Sequence, residues 1–97
     1  MANHVQIPVL MLFYESQKDG LDVFEQLKKD SPSIASYLSV NVKNNPEVAK
    51  TFKVVQIPTF LILKNGKECW RHSGGTSIEL IKNNLALIEP INNEAFI

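Results

Sequence analysis

A chain of 97 residues, 44% apolar and 21% charged, has the size and composition of one ordinary globular domain. Ten Lys plus Arg balance ten Asp plus Glu, and without a basic surplus neither nucleic acid nor an acidic membrane surface is an expected partner. The single cysteine, Cys69, excludes an internal disulfide, an internal redox pair and a four-cysteine zinc site.

The start, Met1-Ala2-Asn3-His4, has neither the basic segment nor the apolar stretch of a secretory leader. The longest apolar run, Pro8 to Tyr14, is far short of the roughly 20 residues that span a bilayer. The expectation is one cytoplasmic domain over residues 1–97, ending in a short tail over 90–97. Val9 to Tyr14 is continuous and apolar, which predicts a strand buried on both faces. After polar residues 15–19, Leu21, Val23, Phe24 and Leu27 predict a helix capped by Asp19 and ended at Asp30-Ser31-Pro32. Asp22 and Glu25 early in it, with Lys28 and Lys29 late, suit the helix dipole.

Ile34, Ser36, Leu38, Val40 and Val42 alternate with Ala35, Tyr37, Ser39 and Asn41, the period of a strand, with a short helix over 33–38 as the alternative. Asn45 followed by Pro46 predicts a helix opening with Asn45 as cap, and Val48, Ala49 and Phe52 form its apolar side. Thr59 to Leu63 is a second apolar strand. Asn65-Gly66 is a hairpin turn, because both residues tolerate positive φ, and a return strand covers Lys67 to Ser73. Gly74-Gly75 breaks the chain. Thr76 with Glu79 has the capping-box pattern ahead of a helix through Ile78, Ile81, Leu85 and Ile88, stopped by Pro90. The order β-α-β-α-β-β-α implies a parallel first pair with a right-handed crossover and an antiparallel hairpin at the end. This predicts an α/β fold, a four-stranded mixed sheet with flanking helices.

Three stretches keep a familiar order and spacing: Val40-Asn41-Val42-Lys43-Asn44-Asn45-Pro46, Val54-Val55-Gln56-Ile57-Pro58-Thr59-Phe60 and Leu63-Lys64-Asn65-Gly66-Lys67. With Gly74 before the last helix, they resemble the thioredoxin family over about residues 40–88. Pro8 to Tyr14 resembles the strand that leads to that family's active site. The resemblance implies a thioredoxin-like fold in a minimal form, without the further strand and helix that open full-length members. It implies a cis bond between Ile57 and Pro58 beside the active site. Where the family has Trp-Cys-Gly-Pro-Cys, this chain has Glu15-Ser16-Gln17-Lys18-Asp19-Gly20, and Leu12 stands near the place of the family's buried acid.

Disulfide exchange needs an attacking thiolate and a resolving thiol. The family places its nucleophile at a helix N-terminus, where its pKa falls; here Lys18 and Asp19 stand there, and neither forms a mixed disulfide. Ser16 has no histidine near it in sequence to act as a base, so Ser16 to Asp19 read as a solvated loop and a cap. Cys69 reads as a small, mostly buried strand residue. Cys69 and His72 have an odd separation that puts them on opposite strand faces, and no other ligand is evident, so no metal site is expected. His4 reads as a residue of a frayed terminus, Trp70 as a packing or partly exposed residue of the sheet, and Asp19, Asp22 and Glu25 as dipole-stabilised charges.

In the family, the backbone before the cis-proline pairs with an extended partner segment, a strand addition that needs no cysteine. The resemblance therefore implies a peptide-binding groove formed by Tyr14, Glu15, Ser16, Gln56, Ile57, Pro58, Gly74 and Gly75. The reading is a redox-inactive module that binds an unidentified protein or peptide, with no cofactor. Two alternatives stand beside it. One is a single-thiol redox protein using Cys69. The other is a structural subunit that forms a homodimer through the sheet edge or through Ala95, Phe96 and Ile97.

Overall fold

A computed structural model describes residues 7–88. The expectations for His4, for Pro90 and for the tail with Ala95, Phe96 and Ile97 lie outside those residues. The elements are β1 (Val9–Tyr14), α1 (Leu21–Asp30), β2 (Ser36–Asn41), α2 (Pro46–Thr51), β3 (Thr59–Lys64), β4 (Lys67–Ser73) and α3 (Ile78–Ile88). The sheet runs β2-β1-β3-β4, with β1 parallel to β2 and antiparallel to β3, and β3 antiparallel to β4. It is the mixed sheet with the connectivity predicted, and residues 36–41 take the strand alternative and not the helix.

Side-chain alternation along the two central strands divides the core into two layers. Leu10, Leu12, Phe60 and Ile62 face α1 and α3, whose Phe24, Leu27, Ile81 and Leu85 are buried against them. Met11, Phe13 and Leu61, joined by Val40, form the other layer, against which Val48, Ala49 and Phe52 pack from the α2 side. β1 and β3 are covered on both faces, which is why their sequences are continuous apolar runs and not alternating ones. At the β3–β4 hairpin, Asn65 (φ 53°) and Gly66 (φ 78°) both take the left-handed conformation that the sequence anticipates.

Three predicted caps are corrected. Gly20, not Asp19, is the N-cap of α1, in a left-handed conformation (φ 87°) with no side-chain cap. Asn45 is the N-cap residue of α2 ahead of Pro46 as expected, yet its side chain makes no cap bond and its amide instead donates to the Asn41 carbonyl at 3.0 Å. The Thr76–Glu79 capping box does not form. Ser77 Oγ accepts from the Leu80 N–H at 3.1 Å, and Thr76 Oγ1 is buried without a partner among the described residues. In each case the residue type was a competent cap; at α3 a neighbour, Ser77, takes the helix amide, and at α1 and α2 no side chain does.

The β3–β4 ladder shifts register between Ile62 and Leu63: Ile62 pairs with Trp70 but Leu63 with Glu68, so Cys69 is an extra bulge residue. The shift resets the face alternation, and Glu68 and Arg71, three apart, meet in an ion pair of 2.8 Å. Each shifts the other: the hydrogen bond from Arg71 lowers the Glu68 pKa. Arg71 also donates to the carbonyls of Phe52 (2.6 Å) and Lys53 (3.3 Å), closing the C-terminal end of α2, where Lys53 has φ 56°. Sequence reading did not single out this arginine.

Tyr37 plays the same part for α1. Its ring meets Phe24 edge-on, with centroids 5.7 Å apart, and its hydroxyl donates to the Ser31 carbonyl at 2.6 Å. Burial pushes its pKa above the ordinary 10.0. A raised folded-state value favours the neutral phenol, so its stabilisation is complete below pH 10.0 and fades as pH climbs through the folded value. Tyr37→Phe is therefore expected to cost about 1 kcal/mol near neutral pH. In urea unfolding the gap between the two proteins narrows above pH 10.0. Gly20→Ala is expected to cost on the order of 1–3 kcal/mol in the same measurement, because φ is positive there and the added carbon has no room. A Cβ at that position would lie 2.8 Å from Phe60 Cζ.

Candidate functional site

The antiparallel β1–β3 pairing sets Phe13 opposite Thr59, so the end of β1 and the start of β3 lie side by side. Ser73 pairs with Thr59 from the other flank. Tyr14, the loop after it, the segment 56–58 and Gly74-Gly75 therefore gather at one end of the sheet. This is where the eight residues of the predicted groove fall. The fit of Gly20 over Phe60 holds the tip of α1 on that end.

The segment before β3 is fixed from two sides. Thr59 Oγ1 donates to the Gln56 carbonyl at 2.6 Å and lies 3.2 Å from Ser73 Oγ. The Gly74 N–H donates to the Pro58 carbonyl at 2.8 Å, in a turn where Gly74 has φ 98°. His72 Nε2 lies 2.8 Å from the Gly75 carbonyl, and its ring stacks on Trp70. Trp70 itself packs against the α1–α3 layer. The Ile57–Pro58 peptide bond is cis. Among the described residues the Ile57 N–H and C=O make no hydrogen bond. Ile57 is half-buried against the α2 layer, and Tyr14 against the opposite one. Next to them Val55 is 93% exposed.

The loop from Glu15 to Gly20 is organised by Asp19. Its Oδ2 accepts from the amides of Ser16 (2.8 Å) and Glu15 (2.9 Å), and more distantly from Ser16 Oγ (3.4 Å). The Ser16 carbonyl in turn accepts the Asp19 N–H at 3.0 Å, and Ser16 Oγ the Lys18 N–H at 3.3 Å. The carboxylate thus closes its own loop instead of capping the helix. The Ser16-to-Asp19 spacing was the available signal, since short polar side chains often bond to backbone a few residues away.

Cys69 is corrected: its thiol is exposed, not buried. It stands by the hairpin, with Sγ 3.6 Å from its neighbour's carbonyl on Lys67. Ser73 is four positions further along β4, roughly 13 Å away at about 3.3 Å per residue. No group of three or more His, Cys, Asp or Glu side chains converges among the described residues.

The backbone hydrogen bonds from Ser16 and Glu15 hold the Asp19 carboxyl below its ordinary 3.8. A lowered folded-state value means that its stabilisation is present above pH 3.8 and is lost as pH falls through the folded value. Asp19→Asn should lower the melting temperature at neutral pH. The difference from the parent should shrink when the two are compared by calorimetry below pH 3.8.

The thioredoxin family model matches residues 18–86. Over 67 residues the chain is 31% identical to a thioredoxin of Rickettsia bellii, an alignment covering 65% of this chain and 64% of that protein. It is 33% identical over 61 residues to glutaredoxin-3 of Mus musculus, 63% of this chain but 18% of that protein. The chain thus spans under two thirds of the length of these curated relatives. Among solved structures it resembles the thioredoxin of Fasciola hepatica, with a TM-score of 0.71 and 26% identity over 82% of this chain and 80% of that one. It also shares the fold of thioredoxin-2, described as a component of malaria parasite protein secretion machinery, with a TM-score of 0.74 and 22% identity over 91% of this chain and 86% of that one. No helix of the described residues is long and apolar enough to cross a membrane. With one cysteine in its 97 residues it has no CxxC pair, and by fold and sequence the chain belongs to the thioredoxin family.

Proposed function

We propose that the chain is a redox-inactive thioredoxin-like module that binds an extended segment of a protein or peptide. The groove is the end of the sheet bounded by Tyr14, Glu15, Ser16, Gln56, Ile57, Pro58, Gly74 and Gly75. One observation carries the reading: the backbone N–H and C=O of Ile57 have no hydrogen-bond partner among the described residues, on a segment whose two flanks are fixed. A polar backbone pair of that kind is what strand addition uses, and its affinity comes from main-chain hydrogen bonds. The exposed side chain of Val55 and the half-buried one of Ile57 supply apolar contact beside it.

The loop that would carry the attacking sulfur in a redox member is closed by Asp19. That carboxylate is held by the amides of Ser16 and Glu15, and it forms no mixed disulfide. In this reading the chain works in the cytoplasm, where a lone surface thiol stays reduced.

The exposed Cys69 favours a second reading, a single-thiol redox protein, and one experiment separates the two. Peptides from a displayed random library are selected on the chain, and insulin reduction is assayed in parallel. Binding is expected to survive alkylation of Cys69, to be lost in Ile57→Asp while the urea midpoint shows the variant folded, and to be accompanied by no insulin turnover. Turnover in that assay, or binding abolished by alkylation, would overturn the proposal.

A further inference from the structure

We propose that β2 is a self-association edge, on which a second copy of this chain pairs antiparallel through its own β2. Among the described residues the sheet has two open edges, and they differ in kind. β4 carries Lys67, Glu68 and Arg71 and is bent by the bulge at Cys69. Charges and bulges are the devices that keep an edge from pairing. β2, Ser-Tyr-Leu-Ser-Val-Asn, has no charge and no proline, and its ladder with β1 runs without a shift. Leu38 at its middle is 49% exposed.

The phase of the ladder shows which groups are free. The Ser36 N–H donates to the Pro8 carbonyl and the Val42 N–H to the Tyr14 carbonyl, both at 2.9 Å, so even-numbered residues of β2 turn their backbone towards β1. Tyr37, Ser39 and Asn41 turn theirs outward. The Asn41 carbonyl is taken by the Asn45 N–H and amide. The backbone groups of Tyr37 and Ser39, and the Asn41 N–H, have no partner among the described residues.

A two-fold axis at Ser39 uses these groups together. Ser39 pairs with Ser39 of the other copy through two hydrogen bonds, and the Asn41 N–H donates to the Tyr37 carbonyl of the other copy, while the Tyr37 N–H, opposite the occupied Asn41 carbonyl, gains no partner. Leu38 then faces Val40, which places apolar side chains together across the seam on the α2 side. The strand is self-complementary about that point, apolar at 38 and 40 and polar at 37, 39 and 41. In this register Lys43 lies opposite Ala35, and no like charges meet. The chain's zero net charge adds no general repulsion between copies. One strand edge is a small interface, below the roughly 1,200 Å² of stable complexes, so the dimer is reversible and forms with rising concentration.

The test is sedimentation velocity in reductant over a wide concentration range, with amide hydrogen exchange on the same samples. The parent should shift from monomer to dimer. The amides of Ser39 and Asn41 should exchange more slowly as concentration rises, with those of Leu38 and Val40 unchanged. Leu38→Lys puts charge on the edge, and Ser39→Pro removes an N–H outside the β1 ladder; both should stay folded by circular dichroism and monomeric throughout. A parent that stays monomeric, a dimer that survives both variants, or exchange at 39 and 41 that ignores concentration would overturn the proposal. A sheet edge reserved for a strand of some other protein gives the first of these results.

Discussion

Phe60 lies fully buried directly beneath Gly20, and much of the molecule depends on that contact. Nothing larger than hydrogen fits on the helix side, so the chain leaves β1 through a left-handed residue and lays the start of α1 on the first residues of β3. The same β3 is held to β1 by the antiparallel ladder. Loop, helix tip and the segment 56–58 are therefore brought together by two constraints already required by the core: close packing of an aromatic ring and one strand pairing. Close-packed interiors do not yield to small volume changes, so the geometry of this end of the sheet is inherited from the core and needs no cysteine to hold it.

Three polar side chains finish what the apolar core begins. Tyr37 closes the end of α1, Arg71 the end of α2, and Asp19 the loop before α1. Each satisfies backbone groups that a short helix or tight loop leaves without partners. Each also reaches well beyond what its own strand or helix requires. Arg71 crosses from an edge strand to the helix on that face, and its bidentate pairing with Glu68 fixes its direction. The helices are six to eleven residues long, too short to be stable alone. These attachments and the two apolar layers make them persist.

The strands and the last helix could be read from sequence because their signals are physical regularities: continuous apolar runs for doubly covered strands, alternation for an edge strand, Asn-Gly for the turn, and Ile78, Ile81, Leu85 and Ile88 for one helical face. The caps could not. Asp19, Asn45 and Thr76 are all competent caps, but which amide a short side chain reaches depends on one or two dihedral angles that composition does not encode. The bulge at Cys69 is another such case. It inserts a residue without leaving a pattern, and it turns the cysteine outward and pairs Glu68 with Arg71. The site residues were placed at one sheet end by the resemblance and by strand order. The bonds that position them, Thr59 to Gln56 and Gly74 to Pro58, depend on three-dimensional proximity across gaps in sequence, and only the first is short enough to have been guessed.

The place of the one thiol bears on the chemistry more than its existence does. Cys69 is open to solvent, which is the condition for a reactive sulfur. It sits at the hairpin end of β4, away from the helix tip, with its Sγ 3.6 Å from the Lys67 carbonyl. At the other end of the sheet the position suited to an anion is filled by Asp19, whose lowered pKa records how well that loop accommodates negative charge. The fold thus separates the sulfur from the field that would activate it. What it leaves next to that loop, among the described residues, is unpaired backbone at Ile57 and apolar side chain, the groups on which the proposed strand addition rests.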